Sequence, residues 1–500
     1  MAPTERLCAS ALGSLPGDVH MPSYDRSTVS PGIAHIGVGN FHRAHQALVI
    51  DRLLSQGIAQ DWGILGIALL PGDERLARAM HQQDGLYTLV EKSSDGSWDH
   101  RVVGSILDVL FAPDDYEAVI EALSDPAIRI VSMTITEGGY NFDRLTGDFM
   151  ADTPAIAADL QPGATPRTAF GIVCAALSRR RSRGVEPFTV MSCDNIQHNG
   201  DVARRMFLAF AKLQDPELAS WMQDHVSFPN SMVDRITPMT TNADVEAVSS
   251  VLGVVDECPV VCEPFLQWVV EDAFPTGRPA WERAGVQVTM DVSPYEKMKL
   301  RLLNASHQGL CYFGHLAGYD LVHDATQDPD IAAFLRRYMD EEATPTLDPV
   351  EGVDLDFYKA QLIERFSNPE VRDTIARLCA ESSDRIPKWL LPVVWDRLAS
   401  GGSVSMSAAI VASWARYAEG VDETGHPINV VDPLKDVLVP IAQSQRDQPL
   451  AFLGNRELFG DLVDDPRFTT PYLQVLDLLH NEGSRATLAW LNASGNEEPA

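Results

Sequence analysis

The segment Tyr295-Glu296-Lys297-Met298-Lys299-Leu300-Arg301-Leu302-Leu303-Asn304-Ala305-Ser306-His307 carries four side chains that could move a proton or hold an oxygen. Read as one straight helix with Lys299 at zero, Glu296 falls at about 60°, His307 at about 80° and Asn304 at about 140°. Leu310, Leu303 and Leu300 share this arc at roughly 20°, 40° and 100°, while Arg301 and Gln308 point to the other side. Polar groups thus occupy the face that leucines would bury. A lysine there needs a partner or must shed its proton. Desolvation lowers a lysine pKa toward the range in which it serves as general base and acid. Two readings fit: a snorkelling Lys299 beside a satisfied core His307 and Asn304, or a catalytic lysine with polar companions.

A second stretch, Cys193-Asp194-Asn195-Ile196-Gln197-His198-Asn199-Gly200, follows the apolar run 188–192. At the carboxyl end of a parallel strand, Asn195 could donate its amide to a substrate oxygen; it could also be an Asx-turn residue that closes the loop. Cys193 reads as packing, because Asp194 disfavours its ionisation. A third stretch, Ile36-Gly37-Val38-Gly39-Asn40-Phe41-His42, joins a strand to a helix through a G-x-G. Gly37 permits the tight turn, Gly39 lets backbone approach a pyrophosphate, and the helix start offers N–H groups to the anion. His42 stands where the third glycine of that fingerprint belongs, and Arg43 is a further local donor. After the next apolar run comes Asp73. As a ribose reader it would favour NAD over NADP; by spacing alone it is a solvated loop acid.

Other pairings with chemical spacing lead elsewhere. Tyr295-x3-Lys299 has the spacing of the catalytic pair of short-chain dehydrogenases, but those chains are much shorter and keep that helix inside the nucleotide domain. Cys258 and Cys262, or His42 and His45, have spacings that zinc could use, but the first pair reads as a buried strand start and the second lacks a third ligand. The expectation is an enzyme with no metal.

The elements that must position these residues change along the chain. Apolar runs at 32–38, 62–70, 128–136 and 188–192 alternate with helical patterns at 42–54 and 169–183. That alternation predicts a parallel sheet covered on both faces, and with the G-x-G junction a Rossmann-type α/β domain over residues 1–290. From there strand-like runs are scarce. Helical patterns at 292–323, 331–339, 356–366, 371–379, 408–418 and 472–479 predict a mainly helical all-α domain over 291–500. The polar tail from 492 on is expected to fray. With 39 basic against 70 acidic residues and a formal net charge of −31, the surface repels phosphate backbones and anionic lipid, so neither nucleic acid nor membrane is an expected partner. Seven scattered cysteines fit free thiols in a reducing cytoplasm.

In order along the chain, Gly37-Val38-Gly39-Asn40-Phe41-His42-Arg43-Ala44-His45-Gln46, Thr136-Glu137-Gly138-Gly139-Tyr140, Ser192-Cys193-Asp194-Asn195, Asp234-Arg235-Ile236-Thr237-Pro238-Met239 and Lys299-x4-Asn304-x2-His307 resemble the landmarks of the polyol-specific long-chain dehydrogenases, the mannitol dehydrogenase family. The resemblance covers nearly the whole chain. It implies metal-independent, NAD-dependent interconversion of D-mannitol and D-fructose, with a small polyol or ketose as partner, and it leans toward a monomer. It implies Lys299 as the acid/base at the C2 hydroxyl, Asn195 and Asn304 as donors to the developing oxyanion, His307 as a substrate-positioning group and Glu296 on a proton path. Asp234, Arg377 and Arg385 would meet the polyol hydroxyls; Gly37, Gly39, Phe41 and Asp73 would hold NAD. Arg385 stands where the family more often has lysine, which opens the preference among C5 and C6 polyols. Gly72 stands where some relatives carry a second acid, which loosens the exclusion of NADP. D-arabinitol dehydrogenases and fructuronate reductases of the same family are alternatives; a uronate needs a cation, and Arg377, Arg385 and Lys388 could offer one. A non-catalytic NAD-binding protein would keep Gly37, Gly39 and Asp73 but would have no use for a lysine on a buried face.

Overall fold

Short β-branched and aliphatic runs become the strands of the first half: β1 (Pro31–Ile36), β2 (Gly63–Ala68), β3 (Tyr87–Lys92), β4 (Trp98–Val103), β5 (Ile106–Phe111), β6 (Ile130–Met133), β7 (Thr189–Ser192), β8 (Ser231–Asp234), β9 (Val260–Cys262), β10 (Gln267–Glu271) and β11 (Gln287–Thr289). The computed structural model describes residues 5–143 and 146–494. The chain divides into two units, one running through Val292 and the other starting at Ser293.

Five strands of the first unit form an all-parallel sheet in the order β5-β2-β1-β6-β7. This is the order of a doubly wound, Rossmann-type sheet, and it reverses between β1 and β6, where such sheets open their ligand crevice. Alternate residues feed two separate cores, one on each face. Ile33, Ile64, Ile130 and Met191 join one; Ala34, Ile36, Val131, Met133 and Val190 join the other. Two smaller mixed sheets, β4-β3-β9 and β11-β10-β8, complete the unit. The run expected at 128–136 stops at Met133, because Thr136 adopts a left-handed φ of 62° and opens a one-turn helix, Thr136–Gly139. The helix expected at 42–54 is two pieces, Asn40–Ala44 and Gln46–Ser55, broken at His45 with φ −122° and ψ −92°.

The second unit is helical. Its Ser405–Tyr417 helix is buried from Met406 to Tyr417, as a helix apolar on all sides must be; it packs against the helices Ala305–Leu316 and Pro466–Asn481. The pattern expected at 292–323 ends at Leu316, and Val322–Gln327 is a separate helix. Only Ile375–Cys379 of the expected 371–379 is helical, capped by the Thr374 side chain. Asn492, expected to fray, belongs to the last helix, Gly483–Ala493, and its amide donates to the Asp330 carbonyl at 2.9 Å; the rest of the polar tail beyond 494 lies outside the described residues. Among the described residues no helix is long and apolar enough to cross a membrane.

Candidate active site

In the first unit the G-x-G turn sits directly beyond β1. Gly37 has φ 96°, and a Cβ there would lie 2.2 Å from the Thr134 carbonyl oxygen, so only glycine fits. Gly39 differs: its φ of −78° and ψ of −178° suit any residue, and the nearest atom to an added Cβ is the Gly37 oxygen at 4.0 Å. The fold does not require glycine at 39, yet it keeps open the space that a bound anion needs. That open cradle fits a dinucleotide pyrophosphate. The missing third glycine normally permits close helix–strand packing. Here the flat His42 ring fills that role, stacked on His35 of β1 with ring centroids 3.4 Å apart and planes 11° apart. Burial holds both imidazoles in their neutral form, pushing His35 down to about 3 and His42 well below its usual value.

Arg43 is not the anion donor that the sequence suggested. It is buried, its guanidinium donates to the Cys258 carbonyl and to Asn40 Oδ1 at 2.7 Å, and it lies over the Tyr87 ring. Phe41 is half-buried against His45, with centroids 4.9 Å apart. Asp73 stands one turn past β2, and its Oδ2 accepts the Leu70 N–H at 2.9 Å, which fixes the carboxylate beyond the carboxyl end of that strand. Asp234 ends β8, buried opposite Gln267. The loop that follows it is tied to the G-x-G turn: the Asn40 amide donates to the Pro238 carbonyl at 3.5 Å and to Thr240 Oγ1 at 3.3 Å.

The loops beyond β6 and β7 are joined at one buried carboxylate. Asp194 accepts from the backbone N–H of Ile135 at 3.1 Å and of Thr136 at 2.8 Å, and from the Tyr140 hydroxyl at 2.8 Å. Thr136, a β-branched residue at φ 62°, costs about 1–3 kcal/mol in that backbone and persists there only because its surroundings impose it. Asn195, the next residue along, is exposed. Sequence reasoning singled out Asn195 and passed over Asp194; the Tyr140-to-Asp194 bond crosses 54 residues and leaves no local pattern. Burial, with Asp194 second, pushes the Cys193 thiol up, in keeping with its packing role. Cys258 and Cys262 are likewise buried core thiols; burial raises Cys262 to about 12, and Cys258 contacts Met80 and Gln83.

In the second unit Glu296, Lys299, Asn304 and His307 lie on one continuous helical segment, but it is not straight. Ser293–Lys299 and Ala305–Leu316 are α-helical, and Leu300–Asn304 between them is a π turn. One extra residue in a turn sets back every later position by about 100°. Relative to Lys299, Asn304 therefore moves from about 140° to about 40°, and His307 from about 80° to about −20°. With Glu296 still near 60°, the four groups share an arc of about 80° instead of about 140°. The straight-helix reading had the wrong phase for these residues. It also misjudged burial, because Arg301 and Gln308, assigned to the outer side, are buried, whereas Leu300 is only half-buried.

Lys299 is 6% exposed and Glu296 5%, whereas Lys297 reaches the surface and pairs with Asp348 at 2.9 Å. Arg301 is committed to Asp396 at 2.6 Å. The Asn304 Oδ1 is buried and meets no hydrogen-bond donor among the described residues. The hydroxyl of Tyr295 donates to the Glu351 carbonyl at 2.9 Å, which removes the short-chain dehydrogenase pairing. His307 packs on Phe366 at 4.5 Å and lies close enough to Asp373 to act on its charge. Burial raises the Asp373 carboxyl, but the bidentate bonds from Arg377 at 2.6 and 2.5 Å, with His307 adding to them, hold it below its usual value. Asp373 was missed, although its i,i+4 spacing to Arg377 is a readable signal. Arg385 donates to the Arg377 and Leu378 carbonyls at 3.2 and 3.0 Å and lies over Trp389. The structure thus gathers Arg377 and Arg385 at one helix end.

The family model for the mannitol dehydrogenase Rossmann domain matches residues 31–283, and that for the mannitol dehydrogenase C-terminal domain matches residues 291–479. The mannitol 2-dehydrogenase of Aspergillus fumigatus is 44% identical over 487 residues, 96% of each chain; that of Phaeosphaeria nodorum is 44% identical over 94% of this chain and 83% of its own. Among solved structures, the Pseudomonas fluorescens mannitol 2-dehydrogenase, in a ternary complex with NAD and D-mannitol, is 44% identical with a TM-score of 0.84, covering 97% of this chain and 99% of its own. A D-sorbitol dehydrogenase in substrate-free form is 39% identical with a TM-score of 0.89, covering 97% and 100%. The chain belongs to the mannitol dehydrogenase family.

Proposed function

We propose that this chain oxidises D-mannitol at C2 to D-fructose with NAD, and catalyses the reverse reduction, without a metal and with Lys299 as general acid and base. The broader part of that reading, an NAD-dependent polyol dehydrogenase, follows from membership of the family over both units. The observation that carries the rest is the π turn, which turns Lys299, Asn304 and His307 onto one narrow, largely buried face. NAD, when bound, supplies the acceptor for the hydride that leaves C2. Lys299 takes the C2 hydroxyl proton and Glu296 passes it on. Asn195 and Asn304 donate their amides to the oxyanion, where fixed dipoles stabilise charge most effectively. His307, Asp234, Arg377 and Arg385 orient the hydroxyls. Gly37, Gly39, Phe41 and Asp73 hold the dinucleotide, with Asp73 reading the ribose.

Two observations favour a neutral polyol over a uronate. Arg377 is already neutralised by a bidentate carboxylate, and the formal charge of −31 repels an anionic substrate. The test is a panel of D-fructose, D-xylulose, L-sorbose and D-fructuronate, each assayed with NADH and with NADPH, before and after EDTA treatment. Fructose with NADH should lead, unaffected by EDTA. A clear win for fructuronate or sorbose would replace the substrate, and loss of activity with EDTA, restored by metal, would replace the mechanism.

A further inference from the structure

We infer that Asp194 is a positioning residue for the reaction: it fixes the backbone that presents Asn195 by stitching the loop after β6 to the loop after β7. This rests on the proposed role of Asn195 as an oxyanion donor. Asp194 is buried, and its carboxylate gathers three donors from a separate loop, namely the N–H groups of Ile135 and Thr136 and the hydroxyl of Tyr140. An ionised carboxylate only accepts hydrogen bonds, so three donors converging on it form a consistent cage. Its own backbone is held as well. The Asp194 N–H donates to Ser192 Oγ at 3.3 Å, and its carbonyl accepts from the Asn199 amide at 3.0 Å. Asn199 is pinned in turn by the Ser231 carbonyl at 2.8 Å and the Ser231 N–H at 2.9 Å. Every fixed point surrounds Asn195, yet Asn195 itself stays exposed at the carboxyl end of β7.

The same stitch sets the unusual backbone of Thr136, whose φ is 62° and whose N–H is one of the three donors. Just past it, a Cβ on Gly138 would meet nothing within 4 Å, so the strained turn presents an open edge. Both loops lie at the carboxyl ends of adjacent strands, beside the point where the strand order reverses. Asp194 does not need to touch substrate to matter; a misplaced oxyanion donor loses most of its effect within about 1 Å.

A double-mutant cycle tests this. Asp194→Asn replaces one acceptor oxygen by a donor and sets N–H against N–H. It should lower kcat for fructose reduction by about tenfold to a hundredfold while leaving the KM for NADH within about twofold. In an Asn195→Ala background the same change should cost less than about threefold, because its effect passes through Asn195. Should Asp194→Asn fail to fold, Tyr140→Phe keeps the ring, removes one of the three donors, and should show the same dependence on Asn195 with a smaller loss. A loss that persists in full in the Asn195→Ala background, or wild-type kcat in the folded variant, overturns the assignment of Asp194. Wild-type turnover in Asn195→Ala alone overturns the oxyanion reading and the assignment with it.

Discussion

Alanine at Gly37 and at Gly39 should separate what the fold needs from what the cofactor needs. At Gly37 the added Cβ lands 2.2 Å from the Thr134 carbonyl oxygen, on a backbone with φ 96°. The left-handed backbone alone costs about 1–3 kcal/mol, and the overlap with a main-chain atom of β6's following loop adds to it. Gly37→Ala should therefore melt several degrees lower, or fail to accumulate. At Gly39 the backbone already suits alanine and the nearest atom is 4.0 Å away; the stiffer unfolded chain and the weaker helix N-cap oppose each other, so stability should change by no more than about 1 kcal/mol. Its methyl would instead occupy the cradle that faces the pyrophosphate. Backbone N–H contacts to an anion, each worth about 1.5–3 kcal/mol when charge-assisted, would lengthen or break. NADH affinity, read by protein fluorescence quenching, should fall by about tenfold to a hundredfold with the melting temperature close to that of the wild type. Wild-type NADH affinity in Gly39→Ala would refute the assignment of this turn to the dinucleotide.

Three further outcomes follow from the second unit. Deleting Leu300 should convert the π turn to a regular α-helical one and keep Lys299, Asn304 and His307 aligned, whereas inserting one alanine after Lys299 should swing His307 by about 100°, roughly 8 Å at side-chain radius; turnover surviving only in the deletion supports the alignment, and equal loss in two folded variants contradicts it. Glu342 accepts from the Met406 and Ser407 N–H groups and the Ser407 hydroxyl, yet burial raises it to about 7; its stabilisation is complete below the unfolded value and is lost as pH rises through about 7, so Glu342→Gln should remove up to about 3 kcal/mol of the pH-dependent loss between about pH 5 and pH 8.5, and an unchanged slope of melting temperature with pH would discount it. Asp373→Asn breaks the bidentate hold on Arg377 and should raise the KM for fructose by about three- to tenfold with a smaller change in kcat, while fructuronate reduction improves; a fall confined to kcat would place Asp373 elsewhere in the reaction.

The alternation of apolar runs and helical patterns made the parallel sheet and the helical half legible, because each reflects a burial periodicity local to the chain. Strand order is set by long-range pairing, and the reversal between β1 and β6 left no mark on either run. The candidate residues could be picked out for the same local reason: Lys299, Asn304 and His307 share one segment. Their phase could not, because a π turn costs one residue and follows no composition rule. His42 illustrates a substitution whose meaning needs the partner. A histidine in place of a glycine looks like a weakened fingerprint until His35 is seen beneath it. Arg43 shows the converse, a charge suited to an anion by sequence that its own fold has already used.

Lys299 is proposed to move the C2 proton. The most direct measurement is NADH formation from D-mannitol at about pH 9, where a lysine base is most available, for the wild type and Lys299→Ala, with NADH affinity measured on both. For Lys299→Ala a fall in kcat of at least about a hundredfold is expected, with NADH affinity unchanged. Retention of most of the turnover by the variant would contradict it.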